Sequence, residues 1–439
     1  RHLRRFIKQL SDTTAVSINC KWGRSLNFYR GLNQYAERLF PWVDMVWLED
    51  LFFFRYDKKR KIVISRVGVQ KQAQEYNVPV CNYHWFKEDK KLKASMAYSI
   101  AANIANTSCM GFSFRYLPYY ELNYDSKKKY NEFCRKHYSK LSSAKPWAEI
   151  AVMRHVKSLA WNNGKPHLEA TAIENLLFHQ CIPFRVIDKI EMNHLASVKT
   201  LILPSCESMS DNELAVLRNW VDRGGRLFFT YDTALFDEYR RKRPQHPILE
   251  WHDEWNARYN SAFGLENLFE LVSLKVENDE CSPRQAPQVI KCKEGYLGFF
   301  PEIILERNIP LGLTEGTFTV EDIEIPKNWR EIIAMLRQLN DDFAFTLHGP
   351  ESVVIETGEI KGGAKFIHII QADSESGAAD VSIVFREKHN ARFQVFSPDN
   401  EPELSVQGNT LNIRNLETYA ILALLISMLA VNGVTGVNI

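Results

Sequence analysis

The sequence predicts an α/β protein of several domains, and three observations carry that prediction. One complete strand–helix–strand unit, Val198–Thr233, has short apolar runs on either side of an amphipathic helix closed by Gly224-Gly225. A longer stretch, from Arg1 to about Ser143, alternates strand and helix patterns. Beyond Gly349 the patterning switches to period two, with turn residues between the runs, as an antiparallel sheet requires.

The central unit is the most readable. Thr200–Leu203 is apolar throughout and closed by Pro204, which suits a buried parallel strand. Ser210 or Asp211 caps the next helix, and Glu213 lies in its first turn. Leu214, Leu217, Trp220 and Val221 recur at helical spacing and define the face that packs down. Gly224-Gly225 ends the helix, because glycine takes a left-handed cap without strain, and Arg226–Thr230 is the following strand. Upstream, Glu149–His155 and Pro183–Ile187 read as strands, His167–Cys181 as a helix carrying Ala170, Ile173, Leu176 and Leu177, and Glu191–Ala196 as a short helix. Four strands alternating with helices imply a doubly wound, flavodoxin-like sheet.

In the first region the expected helices are Leu3–Leu10, Leu32–Leu39, Val67–Tyr76, Leu92–Asn106 and Lys127–Leu141. The expected strands are Ala15–Cys20, Val43–Asp50, Val78–Trp85 and Ser108–Arg115. Four βα units whose strands end in polar or aromatic residues resemble the second half of a (β/α)8 barrel, where chemistry sits at the strand C-terminal ends. Four strands do not close a barrel, so the first and last are expected to be open edges. Ser282–Pro326 reads as irregular and Trp329–Leu339 as a helix. Ser352–Glu356, Ala364–Ile370, Val381–Arg386, Ala391–Phe396, Thr410–Ile413 and Tyr419–Leu425 then make a small antiparallel β-sandwich. The expected boundaries are residues 1–145, 146–350 and 351–439; no element is assigned after Ser427.

Bulk properties narrow the function. With 45% hydrophobic and 25% charged residues the composition is that of an ordinary globular protein. A net charge of +2 offers no global attraction to nucleic acid or an acidic membrane, so neither is an expected partner. The basic runs Lys58–Lys61 and Arg240–Arg243 lack the interleaved aromatics of a base-stacking surface and read as solvated loops. Eight scattered cysteines show no metal-type spacing, and no glycine-rich phosphate loop is present, so no metal, nucleotide or other cofactor is expected. Cys206 follows a strand, but Pro204-Ser205-Cys206-Glu207 lacks the glycines of a nucleophile elbow. The longest apolar run, Tyr419–Val431, is shorter than the ~20 residues that span a bilayer. Arg1–Leu10 opens inside a helical pattern with neither cap nor methionine, which reads as the remainder of a longer chain; a cytoplasmic location is the default expectation.

The succession AVMRH, LEATAIENLLFHQCIPFRVIDK and LILPSCESMSDNELAVLRNWVDRGGRLFFTYDT, within Ala144–Phe269, is similar to the trimerisation domain of bacterial β-galactosidases and their glycoside-hydrolase-like relatives. That domain is built like a class I glutamine amidotransferase without its catalytic residues. The resemblance extends to the order of parts. GFSFR, ending at Arg115, resembles the end of the family's eighth barrel strand, and Lys365–Ile370 (KFIHII) resembles a strand of its C-terminal sandwich, with Gln371 where asparagine is usual. It implies a half-barrel, then an amidotransferase-like domain, then a sandwich, in a homotrimer that binds carbohydrate.

Glycoside hydrolysis needs two carboxyl groups across the scissile bond, one protonated and one ionised. In the family these are glutamates ending the fourth and seventh strands. Here the strand matching the seventh ends in Asn82-Tyr83-His84-Trp85, without a carboxylate before Glu88. Glu49 and Asp50, ending the strand that matches the sixth, are the candidate catalytic residues. Strand alternation sends adjacent side chains opposite ways, so only one faces the mouth. Trp47 and Phe52–Phe54 supply the apolar surroundings that raise a carboxyl pKa. The competing reading has Glu49 or Asp50 capping the next helix or pairing with Arg55. Asn19, Trp22, Trp47, Tyr83, His84, Trp85 and Arg115 complete the candidate sugar-binding set, Arg115 alternatively pairing with Glu49 or Asp50. A non-catalytic carbohydrate-binding or scaffold protein is the alternative function.

Overall fold

The computed structural model of the 439-residue chain describes residues 2–20, 39–52, 54–65, 67–84, 89–103, 124–141, 144–162, 164–252, 287–306, 323–360, 364–373, 375–387 and 392–425. Helix α1 (His2–Leu10) leads to β1 (Ser17–Cys20), β2 (Met45–Phe52), a hairpin of β3 (Arg55–Asp57) and β4 (Ile62–Ile64), α2 (Val67–Glu75) and β5 (Val80–His84). Strands β1, β2 and β5 form one parallel sheet in that order. It has three strands among the described residues and closes no barrel there. Helices α3 (Asp89–Asn103) and α4 (Tyr124–Leu141) follow. The expected strand Ser108–Arg115 lies outside the described residues, as does the expected helix Leu32–Leu39 apart from its last residue.

One expectation for this region needs correction. The second strand does not stop at Asp50 before a helix but runs to Phe52 and enters the β3–β4 hairpin. The Lys58–Lys61 run makes the turn of that hairpin, where Lys61 takes φ +54°. Its charges are spent locally: Arg60 pairs with Asp57 at 2.9 Å and Lys58 with Glu375 at 3.0 Å. The first helix is amphipathic as expected, yet Leu3, Phe6 and Leu10 are all exposed. Its polar face anchors it instead, through Arg4 (2.8 Å) and Lys8 (3.0 Å) on Asp44.

A six-stranded sheet forms the middle. After the short β6 (Lys145–Pro146) come β7 (Ile150–Met153), α5 (Val156–Trp161), α6 (Lys165–His179), β8 (Phe184–Ile187), α7 (Met192–Leu195), β9 (Thr200–Leu203), α8 (Asp211–Asp222) and β10 (Arg226–Thr230). The stretch read as irregular contains a hairpin, β11 (Gln288–Cys292) and β12 (Gly295–Phe300). Strands β8, β7, β9, β10 and β12 lie side by side in parallel, and β11 pairs antiparallel at the edge. Numbered by their place in the chain, the parallel strands run 2-1-3-4-5, the flavodoxin-type order.

Alternation explains why these strands are apolar throughout. Leu201, Leu203, Leu227 and Phe229 face one core with Leu214, Leu217, Trp220 and Val221 of α8. Ile202, Phe228 and Val152 face the other, with Ile173 and Leu176 of α6. Helix α8 begins with a complete capping box: Ser210 accepts from the Glu213 amide, and Glu213 accepts from the Ser210 amide at 2.8 Å. It ends on Gly224 at φ +106°, and Gly225 is required for a second reason, since a Cβ there would lie 2.3 Å from the Trp220 ring.

Helix α9 (Trp329–Asn340) leads into β13 (Phe345–His348), β14 (Val353–Glu359), β15 (Lys365–Gln371), β16 (Ala379–Phe385), β17 (Arg392–Phe396), β18 (Glu403–Gln407), β19 (Thr410–Leu416) and β20 (Tyr419–Leu425). They form two antiparallel sheets, β13-β16-β19-β18 and β17-β20-β15-β14-β6. Ile367, Ile369, Leu422 and Leu424 face the core between them, with Val381, Ile383, Leu411 and Ile413. The opposite face of the five-stranded sheet, including Phe366, Tyr419 and Ile421, is covered too, so β20 is apolar at every position.

That covering layer ties the regions together. One continuous core holds Phe54, Tyr98 and Tyr130 of the first region, Ile173 and Phe228 of the second, and Val354 and Tyr419 of the third. Tyr98 stacks on Phe54 with centroids 4.5 Å apart and meets Phe178 edge-on at 5.6 Å. Arg185 pairs with Glu75 at 2.8 Å, and Tyr76 donates to Asp188 at 2.8 Å, joining α2 to β8.

Candidate functional site

The three-stranded parallel sheet brings six of the nine candidate residues together at the level of the backbone. Asn19 of β1 is level with Trp47 of β2, and on the other side Leu51 and Phe52 of β2 are level with Tyr83 and His84 of β5. Between these pairs the register shifts. Leu48 is partnered by Asn82 and Leu51 by Tyr83, so Glu49 and Asp50 fall in a bulge, two residues of β2 with no counterpart on β5. A bulge bends the strand and re-aims its side chains, and such features concentrate beside active sites. The sequence placed the carboxylates at a strand end; the backbone places them inside the strand, at its irregular point. Trp22, Trp85 and Arg115 lie outside the described residues.

Phe54, one of the expected apolar surroundings of the carboxylates, is fully buried against Tyr98 in the shared core. A small apolar cluster of Phe40, Val46, Ala73, Val78, Val80 and Leu159 packs under the same sheet.

Beside the apolar core that joins the regions, buried ion pairs occur. Lys71 of α2 lies 2.6 Å from Glu356 of β14, with the side chains only 5% and 4% exposed. Burial raises the Glu356 carboxyl pKa, and Lys71 opposes that rise. Arg154, just past β7, holds Glu174 at 2.6 Å and His167 Nδ1 at 3.0 Å.

A second polar concentration lies at the C-terminal edge of the six-stranded sheet. Ser205, directly after β9, adopts φ +45° without being glycine. Its hydroxyl meets Glu169 of α6 and, at 2.8 Å, Asp232 beyond β10. Lys165 stands 2.5 Å from Asp232. Nearby, His155 Nδ1 lies 2.8 Å from Ser158 Oγ and its Nε2 3.3 Å from Glu213. The sequence reading passed over Ser205, Glu169, Asp232 and Lys165, although one signal was available. Glu169 leads the stripe 169, 173, 176, 177 and so occupies a core position of its helix.

Cys206 behaves as its turn chemistry suggests. It is 1% exposed, its thiol donates weakly to Pro204 O at 3.7 Å, and burial drives its pKa well up, away from a reactive thiolate. The Arg240–Arg243 run is committed to carboxylates: Arg240 to Glu207, Arg241 to Asp237 and Arg243 to Asp211. Among the described residues no group of three or more His, Cys, Asp or Glu is arranged to hold a metal, and no helix is long and apolar enough to cross a membrane.

No protein-family model matches the sequence, and no curated protein matches it by sequence. Solved structures do match. The β-galactosidase from Bacillus circulans sp. alkalophilus superposes with a TM-score of 0.64 at 11% identity, over 96% of this chain and 65% of that one. A catalytic mutant of Gan42B, a GH42 β-galactosidase from G. stearothermophilus, gives 0.55 at 14%, over 95% and 65%. Alpha-L-fucosidase isoenzyme 2 from Paenibacillus thiaminolyticus gives 0.56 at 13%, over 96% and 70%. The chain therefore shares the fold of glycoside hydrolases of the GH42 β-galactosidase kind, and spans about two thirds of their length.

Proposed function

We propose that this protein acts on glycosidic bonds of oligosaccharides, in the manner of the β-galactosidases it resembles, by carboxylate acid/base chemistry at the C-terminal ends of β1, β2 and β5. The observation that carries the reading is the bulge at Glu49-Asp50, which sets two carboxylates at the irregular point of a parallel strand in a chain with a glycoside-hydrolase fold. Within that reading residues 1–145 are the C-terminal half of a (β/α)8 barrel, 146–350 a flavodoxin-like trimerisation-type domain, and 351–439 a C-terminal β-sandwich. The assembly is a homotrimer.

The chemistry follows from the residue types. Whichever of Glu49 and Asp50 faces the mouth is kept protonated by apolar neighbours and donates to the glycosidic oxygen, while an ionised partner, in the family a glutamate ending another strand, attacks the anomeric carbon or activates water. Trp22, Trp47, Tyr83 and Trp85 offer aromatic faces to the sugar ring. Asn19 and His84 offer hydrogen bonds to its hydroxyls, and Arg115 a charge to orient the carboxylates. Purified protein supplied with aryl β-galactosides and α-fucosides should release the phenol. Glu49→Gln or Asp50→Asn should lower kcat by at least about a hundredfold, the usual scale for losing an acid or base. Full turnover by both variants would sink the assignment.

A second reading rests on β5, whose end carries Asn82, Tyr83 and His84 where the family has a carboxylate. On that ground the protein binds carbohydrate without cleaving it, or serves as an oligomer scaffold. Saturable binding of galacto-oligosaccharides with no hydrolysis would favour this alternative.

A further inference from the structure

The edge of the six-stranded sheet contains an arrangement whose protons can be counted. Ser205 is fully buried, and its Oγ is within hydrogen-bond reach of two carboxylate oxygens, Glu169 Oε2 and Asp232 Oδ2. A hydroxyl carries one proton, so it donates to one of them only. The other contact needs a proton that resides on a carboxyl. Asp232 already accepts from two donors, Lys165 Nζ at 2.5 Å on Oδ2 and Thr230 Oγ1 at 2.6 Å on Oδ1, and these favour its ionised form. The extra proton therefore belongs to Glu169, which donates to Ser205 while Ser205 donates to Asp232.

We propose that Glu169, Ser205 and Asp232 form a proton-retaining latch that holds the turn after β9, so that the C-terminal edge of this sheet loosens when the proton leaves. The turn has an unusual backbone at the relevant place. Ser205 sits at φ +45°, in the left-handed region that favours glycine. Its amide is tied to Thr230 Oγ1 at 3.0 Å, and its hydroxyl closes the relay. Loss of the Glu169 proton would set two carboxylates against one buried hydroxyl, leaving one contact without a proton.

The surrounding charges agree with the count. Burial pushes the Glu169 carboxyl up to about 8; Lys165 and the hydrogen bond with Ser205 oppose the rise, and Asp232 and Glu207 add to it. Glu207 is itself raised by burial and neighbouring Asp232, and is held by Arg240 and by Asn162 at 2.7 Å. Cys206 beside them stays a neutral thiol. Because the folded state holds this proton more tightly than the open state, opening becomes easier as pH rises from the ordinary carboxylate range towards about 8, and levels off above it.

Amide hydrogen exchange of residues 201–206 on the full chain, corrected for the intrinsic effect of pH, tests this. In wild type the opening constant should rise by up to about tenfold per pH unit between about pH 5.5 and 7.5, the one-proton slope. Glu169→Gln keeps an N–H donor for Ser205 but cannot ionise, and its slope should fall well below that of wild type, whereas Glu207→Gln should keep a sloping profile whose plateau moves to lower pH, because a neighbour that raises Glu169 is gone. A flat wild-type profile, or equal slopes in wild type and Glu169→Gln, overturns the proposal. If Glu169→Gln does not fold, carbon-13 labelling of glutamate carboxyls in wild type decides instead. A resonance titrating above about pH 7 that remains in both Glu207→Gln and Glu356→Gln supports the latch, and its absence overturns it.

Discussion

Replacing Lys71 by Met should test how firmly the first region is fastened to the rest. The substitution keeps an unbranched, apolar stem of similar length and removes only the ammonium. Glu356 would then remain buried, 4% exposed, with its single strong partner gone and its Oε1 atom already without a hydrogen bond. Breaking one side of such a pair costs about 3–5 kcal/mol, because the surviving charge stays desolvated. The ammonium also lies 4.5 Å from the centre of the Phe184 ring, a smaller contribution of about 0.5–2 kcal/mol. Against a typical total of about 5–15 kcal/mol this is a large fraction. Urea denaturation, with hydrogen exchange reporting on α2 and β14, measures it. The sign of the pH effect is fixed. Glu356 already has a raised pKa, and without Lys71 it rises further, so the penalty should be greatest at alkaline pH and shrink as acid protonates the carboxyl. Lys71→Met/Glu356→Leu should recover much of the loss. A single-variant penalty below about 1 kcal/mol, or one independent of pH, would show that the pair adds little to the core that joins the regions.

Three further outcomes are expected. Ser210→Ala removes half of the capping box of α8 and should cost about 1 kcal/mol, read from the urea midpoint. Burial works against ionisation of Asp44, but the Val16 amide, Arg4 and Lys8 outweigh it and hold its carboxyl down at about 2. The anchorage of α1 is thus complete above the ordinary carboxylate range and lost as pH falls through about 2. Asp44→Ala should bring the same loss, about 1 kcal/mol for charges this exposed, at neutral pH, seen as faster exchange of amides 2–10. Cys206→Ser should leave any glycoside hydrolysis unchanged within about twofold, since the thiol is buried past the end of β9, in a different sheet from that of the candidate carboxylates; a large loss would return the cysteine to consideration.

Much of the fold was legible where signals are local. The unit from Thr200 to Thr230 carries its cap, apolar stripe and glycines in its own sequence, and its two strands match their expected limits. Strand β18, Glu403–Gln407, was missed because it is an edge strand exposed along most of its length and has little apolar alternation. The hairpin β11–β12 was read as irregular because glycines interrupt GYLGFF, yet Gly298 is where α9 comes closest, a Cβ there lying 2.9 Å from Leu339. The candidate carboxylates were legible as residue types near a strand end, whereas their bulge depends on the register with β5, which no local pattern specifies. Glu169 needed the partner strands to make sense of a charge in an apolar stripe.

The shared core also sets a schedule for synthesis. Tyr130 of α4 donates to Asp399 at 2.8 Å across 269 residues of chain, and Phe133 packs on Tyr419 with ring centroids 6.0 Å apart. Lys145 and Pro146, which follow that helix, complete their pairing only with Glu359 and Gly358. At about 5–20 residues per second, α4 must wait roughly 15–50 s after leaving the ribosome before its partner strands exist. During that interval α3, already synthesised, lies against it, but the face that meets Tyr419 has no strand to cover it. Yield in a cell should therefore depend on chaperone supply and growth temperature more steeply than the stability of the finished fold would suggest.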